Sequence, residues 1–419
     1  IIQKKCVSLQ PNLEKYTLMK KILSIITFCM LSMSMFAVIA SPEPIEVTQP
    51  DGSTLMVKLV GDEFHSYYTT LDGTPLRRTA SGKFVQDASV VEMPSQARKA
   101  RQVAQKLNYD QNFPLTGSPR SVVILVNFAD VKFKYTKEDF EKMLNTPGYK
   151  ENNGVGSARD YFIGCSDSAF APIFDCYGPV TLSKKREYYG SNKGGNNSAH
   201  ADRMVVEACN LVEESGVDFS QYDNDGDGFV DFVFVIYAGY GEADGGASNT
   251  IWPHAWNLYT AAGKKCEVDG KVVDLYACGN ELDSYSEKHT GIGTFCHEFS
   301  HVLGLPDLYE TDAMDPHGVK TLGAWSIMDY GPYNNEGNTP PAYSAYERFF
   351  MGWLMPELIV DTANITLQDL KESNRALLIS SSDEHNLIGN DPKPTNFYLL
   401  ENRQQKSWDE YLPGHGMML

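Results

Sequence analysis

Between Cys29 and Cys165 the sequence holds no cysteine, beyond residue 39 it holds no long apolar run, and everywhere it is short of positive charge. The first gap removes thiols from the stretch that follows the amino terminus, so no cysteine there can cap a metal elsewhere in the chain. The second excludes a later membrane-crossing helix, which needs about 18 or more apolar residues. The third weighs against nucleic acid and anionic lipid as partners: 36 Lys and Arg face 54 Asp and Glu, a net charge of -18 that repels phosphate. No internal repeat or low-complexity tract marks a solenoid or a disordered chain. The 419 residues are 42% hydrophobic and 21% charged, the balance of a soluble globular protein, and 34 Gly with 23 Tyr favour turns and sheet.

The amino terminus breaks the acidic pattern. In "MKKILSIITFCMLSMSMFAVIAS" two lysines precede an apolar run over 22–39, and Val38 and Ala40 stand at cleavage-like positions. Residues 19–40 therefore read as an export signal that is removed, with 1–18 as an over-extended start; a retained anchor is the alternative. An exported chain with six further cysteines suggests disulfides. Cys266 with Cys278, flanking a hairpin at Asp269 and Gly270, and Cys165 with Cys176 are the attractive local pairs. Cys209 and Cys296, on predicted helices, read as free buried thiols.

From 41 to about 91, alternating residues around turns at Gly52, Gly73 and Gly82 predict a small β-meander. A polar, partly basic stretch follows as a linker, with a surface helix over 96–107 possible within it. "SVVILVNFAD" then reads as a buried strand, "SARDYFIGCS" as a helix capped by Ser157, and "AHADRMVVEACNLVEESG" as an amphipathic helix ended by Gly216. The strand "FVDFVFVIYAGYG" comes next, and "ALLISS" and "NFYLLENRQ" predict strands near the end. Strands alternating with helices between β-rich flanks give an α+β fold.

"TFCHEFSHVLGLPDLY" carries the chemistry. On a helix His297 and His301 share a face and can present ring nitrogens to one ion, while Glu298 lies about 100° around, where a carboxylate can take a proton from attacking water. Gly304 can end the helix left-handed and let Asp307 swing back as a third ligand. Asp312, Asp315 and His317 are alternative third ligands. Three protein ligands leave a fourth position open, the catalytic arrangement of zinc. Downstream, "GAWSIMDYG" places Met328 in a tight turn that can floor such a site, and the Tyr330 hydroxyl can bond a developing oxyanion.

His297-Glu298-x-x-His301-x-x-Gly304-x-x-Asp307 followed by a methionine turn resembles the immune inhibitor A family of secreted metallopeptidases, zincins related to the metzincins. The likeness extends through "VVILVNFAD", "SARDYF", "YDNDGDGFVDFVFVIYAG", "IWPHAW" and "YLLENRQ". It implies a zincin-like catalytic domain over 118–362, built on a twisted mixed sheet with an active-site helix and a methionine turn. It implies His297, His301 and Asp307 as zinc ligands, Glu298 as general base and Met328 as the turn methionine. Residues 41–117 would be a propeptide with its linker, and 363–419 the start of a β-rich segment that the family continues. Ser300 departs from the family's usual Gly.

A second cation site is predicted in "DNDGDGFVD". Asp223, Asp225, Asp227, the Phe229 carbonyl and Asp231 fall at calcium-loop spacing, but position 12 is Phe234 and no bidentate Glu closes the loop. The expectation is a structural Ca2+ loop, completed by Glu242 or Asp244. Together these readings predict a secreted zinc endopeptidase, latent until processed, that acts on protein or peptide substrates. The rival is a secreted binding protein with a structural or vestigial metal site.

Overall fold

A computed structural model describes residues 38–93, 113–192, 198–259, 266–309, 321–361, 364–382 and 384–419. The region read as an export signal, apart from 38–40, and residues 94–112 of the linker, where the surface helix is expected, lie outside these residues.

The predicted meander forms. Strands β1 (Ile45–Thr48), β2 (Thr54–Gly61), β3 (Ser66–Thr70), β4 (Pro75–Arg78) and β5 (Phe84–Gln86) pair antiparallel in sequence order. Gly52, Gly73 and Gly82 turn the hairpins with φ of 83°, 87° and 84°, the left-handed region that glycine enters without strain. Period-two alternation puts Val57 and Leu59 of β2 on one face. Val57 packs with Leu76 and Phe84 inside the meander, whereas Leu59 packs on Trp252 and Ala243 of the following unit.

That unit is built on a five-stranded sheet. β6 (Arg120–Asn127), β7 (Ile173–Thr181), β9 (Val233–Tyr240) and β13 (Leu275–Leu282) run parallel, and β10 (His254–Asn257) closes one edge antiparallel, in the order β10-β13-β9-β6-β7. Both faces are covered. Val123 and Leu125 of β6 point into one core, and Val122, Ile124 and Val126 into the other, which explains why β6 is a continuous apolar run rather than an alternating one. The first core takes helices α1 (Lys137–Asn145) and α2 (Ala158–Cys165); the second takes α3 (Ala201–Glu214) through Met204, Ala208 and Val212. Ser157 caps α2 in a reciprocal capping box with Asp160, as its sequence predicts. The sheet is mixed, as expected, yet its helices lie on both faces rather than segregated, so the centre has α/β layering between two smaller sheets.

The predicted disulfides are absent: all six described cysteines are free and buried. The hairpin β11 (Cys266–Val268) to β12 (Lys271–Val273) turns at Asp269 and Gly270 as expected, but Cys266 lies opposite Val273 and accepts a hydrogen bond from the Cys209 thiol on α3. Cys278 is on β13, where its thiol faces His254. Cys165 accepts from the Tyr343 N–H inside the first core, and Cys176 belongs to β7. Sequence proximity put these pairs together; strand register keeps them apart.

Near the end, β14 (Glu357–Ile359), β15 (Leu377–Ile379), β16 (Tyr398–Arg403) and β17 (Gly416–Met418) form a four-stranded sheet. One buried ionic cluster docks it on the central unit. Arg403, with no exposed surface, donates to both Asp409 oxygens and to the Ala342 carbonyl, while Asp409 accepts from the Ala342 N–H and Glu401 from the Ala345 N–H. Replacing only the cation strands two buried carboxylates. Arg403→Ala is therefore expected to lower stability by about 3–5 kcal/mol in chemical denaturation, and a loss below about 1 kcal/mol would show that the cluster is not a docking element.

Candidate metal centre

The helix that carries the histidines is α4 (Gly293–Val302). Its first residue is glycine because a Cβ there would fall 1.9 Å from the Pro332 carbonyl oxygen, and the Gly293 N–H donates to Gly337 O at 2.8 Å. Phe295, Cys296, Phe299 and Val302 face the first core, which fixes the rotation of the helix. The opposite side turns His297, Glu298 and His301 toward one point, all three buried. Ser300, the departure from the family pattern, is accommodated: its hydroxyl donates to Cys296 O and shares a hydrogen bond with the Tyr343 hydroxyl.

Gly304 has φ of 106° and its N–H returns to His301 O, ending the helix as predicted. The chain then reverses, and the Leu308 N–H donates to Met328 O at 2.8 Å. This brings Asp307 Oδ1 to 3.4 Å from His297 Nε2 and 3.3 Å from His301 Nε2, with the two Nε2 atoms 3.1 Å apart. Tetrahedral ligands at about 2.0–2.1 Å from zinc are about 3.3–3.4 Å from each other. The spacing fits.

Tautomers strengthen the fit. His297 Nδ1 donates to Ile327 O at 2.7 Å and His301 Nδ1 to Leu305 O at 2.8 Å. In the neutral rings these bonds place the proton on Nδ1 and leave both Nε2 atoms as bare acceptors. Two lone pairs and a buried carboxylate oxygen that receives no hydrogen bond then face one another. Such a cluster repels itself unless a cation stands between its members. The titration shifts follow from the closeness of these groups. Burial opposes charge on His297, but Asp307 and Glu298 beside it outweigh that and raise its pKa. Burial likewise pushes Asp307 up, and the two histidines more than reverse it. For His301 burial prevails and its pKa falls.

Glu298 stands beside this triad. Burial, with the Asp307 charge adding to it, pushes its carboxyl up to about 8 against the pull of His297. Oε2 is buried with no hydrogen-bond partner, whereas Oε1 accepts from the Val38 N–H at 2.9 Å. The segment 38–41 thus lies across the site. Val38 O accepts from Trp252 Nε1 at 2.8 Å, Ile39 O from the Tyr333 hydroxyl at 2.5 Å, and the Ser41 N–H donates to Ala243 O at 2.7 Å. No sequence spacing links Val38 to a glutamate 260 positions away, so Val38 and Tyr333 escape the sequence reading; Trp252 lies inside the quoted "IWPHAW" without an assigned role.

Met328 is fully buried in a turn, its N–H held by Ser326 Oγ. Ser326 Oγ in turn donates to Glu347, and the carbonyl of Ile327 orients His297. Tyr330 is half-buried at the end of that turn, its hydroxyl pushed up to about 12 by burial and by the Asp329 charge. Asp312, Asp315 and His317 lie outside the described residues.

The acidic loop is only partly assembled. Asp223, Asp225 and Asp227 can bring one oxygen each within 4.8 Å of the others. Asp231 is not in that group: its Oδ2 accepts twice from Asn224, and burial raises its carboxyl to about 6. Phe229 is in β8 (Phe229–Val230), its N–H on Asp227. Lys271 Nζ sits 2.6 Å from Asp223 Oδ2, so an ammonium already offsets part of the charge. Glu242 and Asp244 do not complete the loop, because the eight residues of β9 separate them from it.

Residues 120–355, more than half of the chain, match the immune inhibitor A peptidase M6 catalytic domain family. Immune inhibitor A from Bacillus thuringiensis subsp. alesti is 26% identical over 298 residues, covering 61% of this chain and 42% of that protein. The pre-pro-metalloprotease PrtV from Vibrio cholerae serotype O1 (strain M66-2) is 24% identical over 278 residues, 60% of this chain and 30% of that protein. The chain thus spans less than half the length of these relatives.

If the triad holds zinc, adding the metal to metal-depleted protein is expected to raise the melting temperature by several degrees, because the ion binds the folded state. Asp307→Ala should abolish the rise. An unchanged rise in that variant would remove Asp307 from the ligand set.

Proposed function

Because the chain belongs to the immune inhibitor A peptidase family, we propose that it is a secreted zinc-dependent endopeptidase of zincin type that hydrolyses proteins or peptides, with Glu298 as general base. One observation carries this reading: three ligand atoms lie within 3.4 Å of one another beside a buried carboxylate. A structural zinc site is closed by four protein ligands and needs no base. Among the described residues this one gathers three and sets a glutamate at its side.

When bound, zinc would supply a Lewis acid that lowers the pKa of water and polarises the scissile carbonyl. The protein's residues supply the proton path and the orientation. Glu298 takes the proton of the attacking water and gives it to the leaving amide nitrogen. The backbone carbonyls on His297 and His301 hold the rings in the ligating tautomer, and the methionine turn fixes one of those carbonyls. Tyr330 is proposed to stabilise the oxyanion with its hydroxyl.

The segment 41–117 is proposed as a propeptide, with the catalytic domain over 118–362. The Val38 N–H that engages Glu298 lies within the stretch read as the export signal, so latency of the exported chain is assigned to 41–117 and not to that contact. Among the described residues no helix is long and apolar enough to cross a membrane. Asp223, Asp225 and Asp227 are proposed to bind a structural Ca2+, with Lys271 moving aside.

Glu298→Gln is expected to keep zinc while casein hydrolysis falls by about a hundredfold to ten-thousandfold; undiminished hydrolysis removes Glu298 from the mechanism. A chain starting near residue 117 is expected to cleave casein faster than the full chain. Equal rates would remove the propeptide assignment.

A further inference from the structure

An acidic pocket opens beside the cleft, one turn of α4 before Glu298. Its volume is about 340 Å3, and Thr294 of α4, Tyr333, Asp244, Asp283 and Glu336 contribute to its wall together with Ser41 and Glu43 of the amino-terminal segment. Asp244 is the unusual member. It is 6% exposed, its Oδ2 accepts from Asn280 Nδ2 at 2.9 Å, and its Oδ1 has no hydrogen-bond partner. A buried carboxylate oxygen without a donor is costly, and burial together with the Asp283 charge holds this carboxyl well above its ordinary range. Asp283 spends one oxygen on the Tyr285 and Ser286 N–H groups. At the rim, the exposed Glu336 meets Lys288 at 3.7 Å, an exposed pair of small energetic weight. The pocket wall is therefore short of positive charge where Asp244 is buried.

The chain crossing the cleft locates the pocket relative to the chemistry. The Val38 N–H donates to Glu298, the contact a leaving amine makes once it has taken its proton from that residue, and on this basis 38–41 serves as a guide to the leaving-group side of the cleft. Ser41, three residues on, is where the segment reaches the pocket. Each extended residue advances about 3.3 Å, which puts the pocket about 10 Å from the reacting nitrogen.

On the peptidase reading given above, we propose that Asp244, with Asp283 and Glu336, forms a specificity subsite for the lysine or arginine side chain of a protein substrate, at the fourth residue after the cleaved bond. A long basic side chain has the reach to enter the cavity, meets net negative charge there, and offers the donor that Asp244 lacks once its carboxyl turns to meet it. These carboxylates are too dispersed to chelate an ion: the three-residue groups with ligating atoms within 4.8 Å among the described residues are the histidine triad and the Asp223 loop.

The chain's own segment provides a test that needs no turnover. In the full chain, Ser41→Lys should melt about 2 °C or more above Ser41→Met, a length-matched neutral control. That difference should vanish in an Asp244→Asn background and shrink with Glu336→Gln, an exposed change that leaves folding intact. In parallel, mass spectrometry of casein digests should show Lys and Arg enriched several-fold at the fourth residue after each cut. Equal melting of the Lys and Met variants, no enrichment in a digest that does proceed, or a calcium- or zinc-induced stabilisation lost only with Asp244→Asn would overturn the subsite. Intact casein tells against the peptidase reading instead, and the melting comparison still decides the pocket.

Discussion

Two imidazole lone pairs and a carboxylate oxygen, held within 3.4 Å of one another in a buried pocket, are the constraint around which the rest of the structure is arranged. Without a cation they repel; with one they become three corners of a tetrahedron. The surrounding fold prevents the relaxation that would otherwise relieve the repulsion. The phenylalanine face of α4 is locked in the core, Gly293 is wedged under the Pro332 carbonyl, and the Leu308 N–H ties the returning strand to Met328. Two backbone carbonyls set both ring tautomers, so the ligand atoms are oriented before any ion arrives.

The same packing explains how a distant segment reaches the site. The meander presents Leu59 to Trp252 and Ala243, and this contact brings the adjacent residues 38–41 across Glu298. Trp252 and Tyr333 hold successive carbonyls of that segment. A chain held in this way marks out the path of an extended peptide through the cleft, and the acidic pocket lies farther along that path.

Much of this was legible in the sequence because it rests on local periodicity. The i and i+4 histidines, the left-handed Gly304, the Ser157 cap, the Gly52, Gly73 and Gly82 hairpins and the apolar run of β6 each follow from spacing over a few residues. What was not legible depends on register between distant strands. Cys266 and Cys278 are close in sequence, yet pairing sends one to α3 and the other to His254. Glu242 and Asp244 follow the acidic loop closely, but a full strand carries them to the other end of β9. Two-sided covering of the central sheet and the Val38 contact on Glu298 likewise arise only when the chain is folded.

X-ray absorption at the zinc edge of metal-loaded protein tests the central claim most directly. The account predicts one zinc per chain with two imidazole nitrogens at about 2.0–2.1 Å, one carboxylate oxygen, and a fourth light donor that is not a protein side chain in the processed enzyme. A sphere containing sulfur, a single imidazole, or four protein ligands would contradict it.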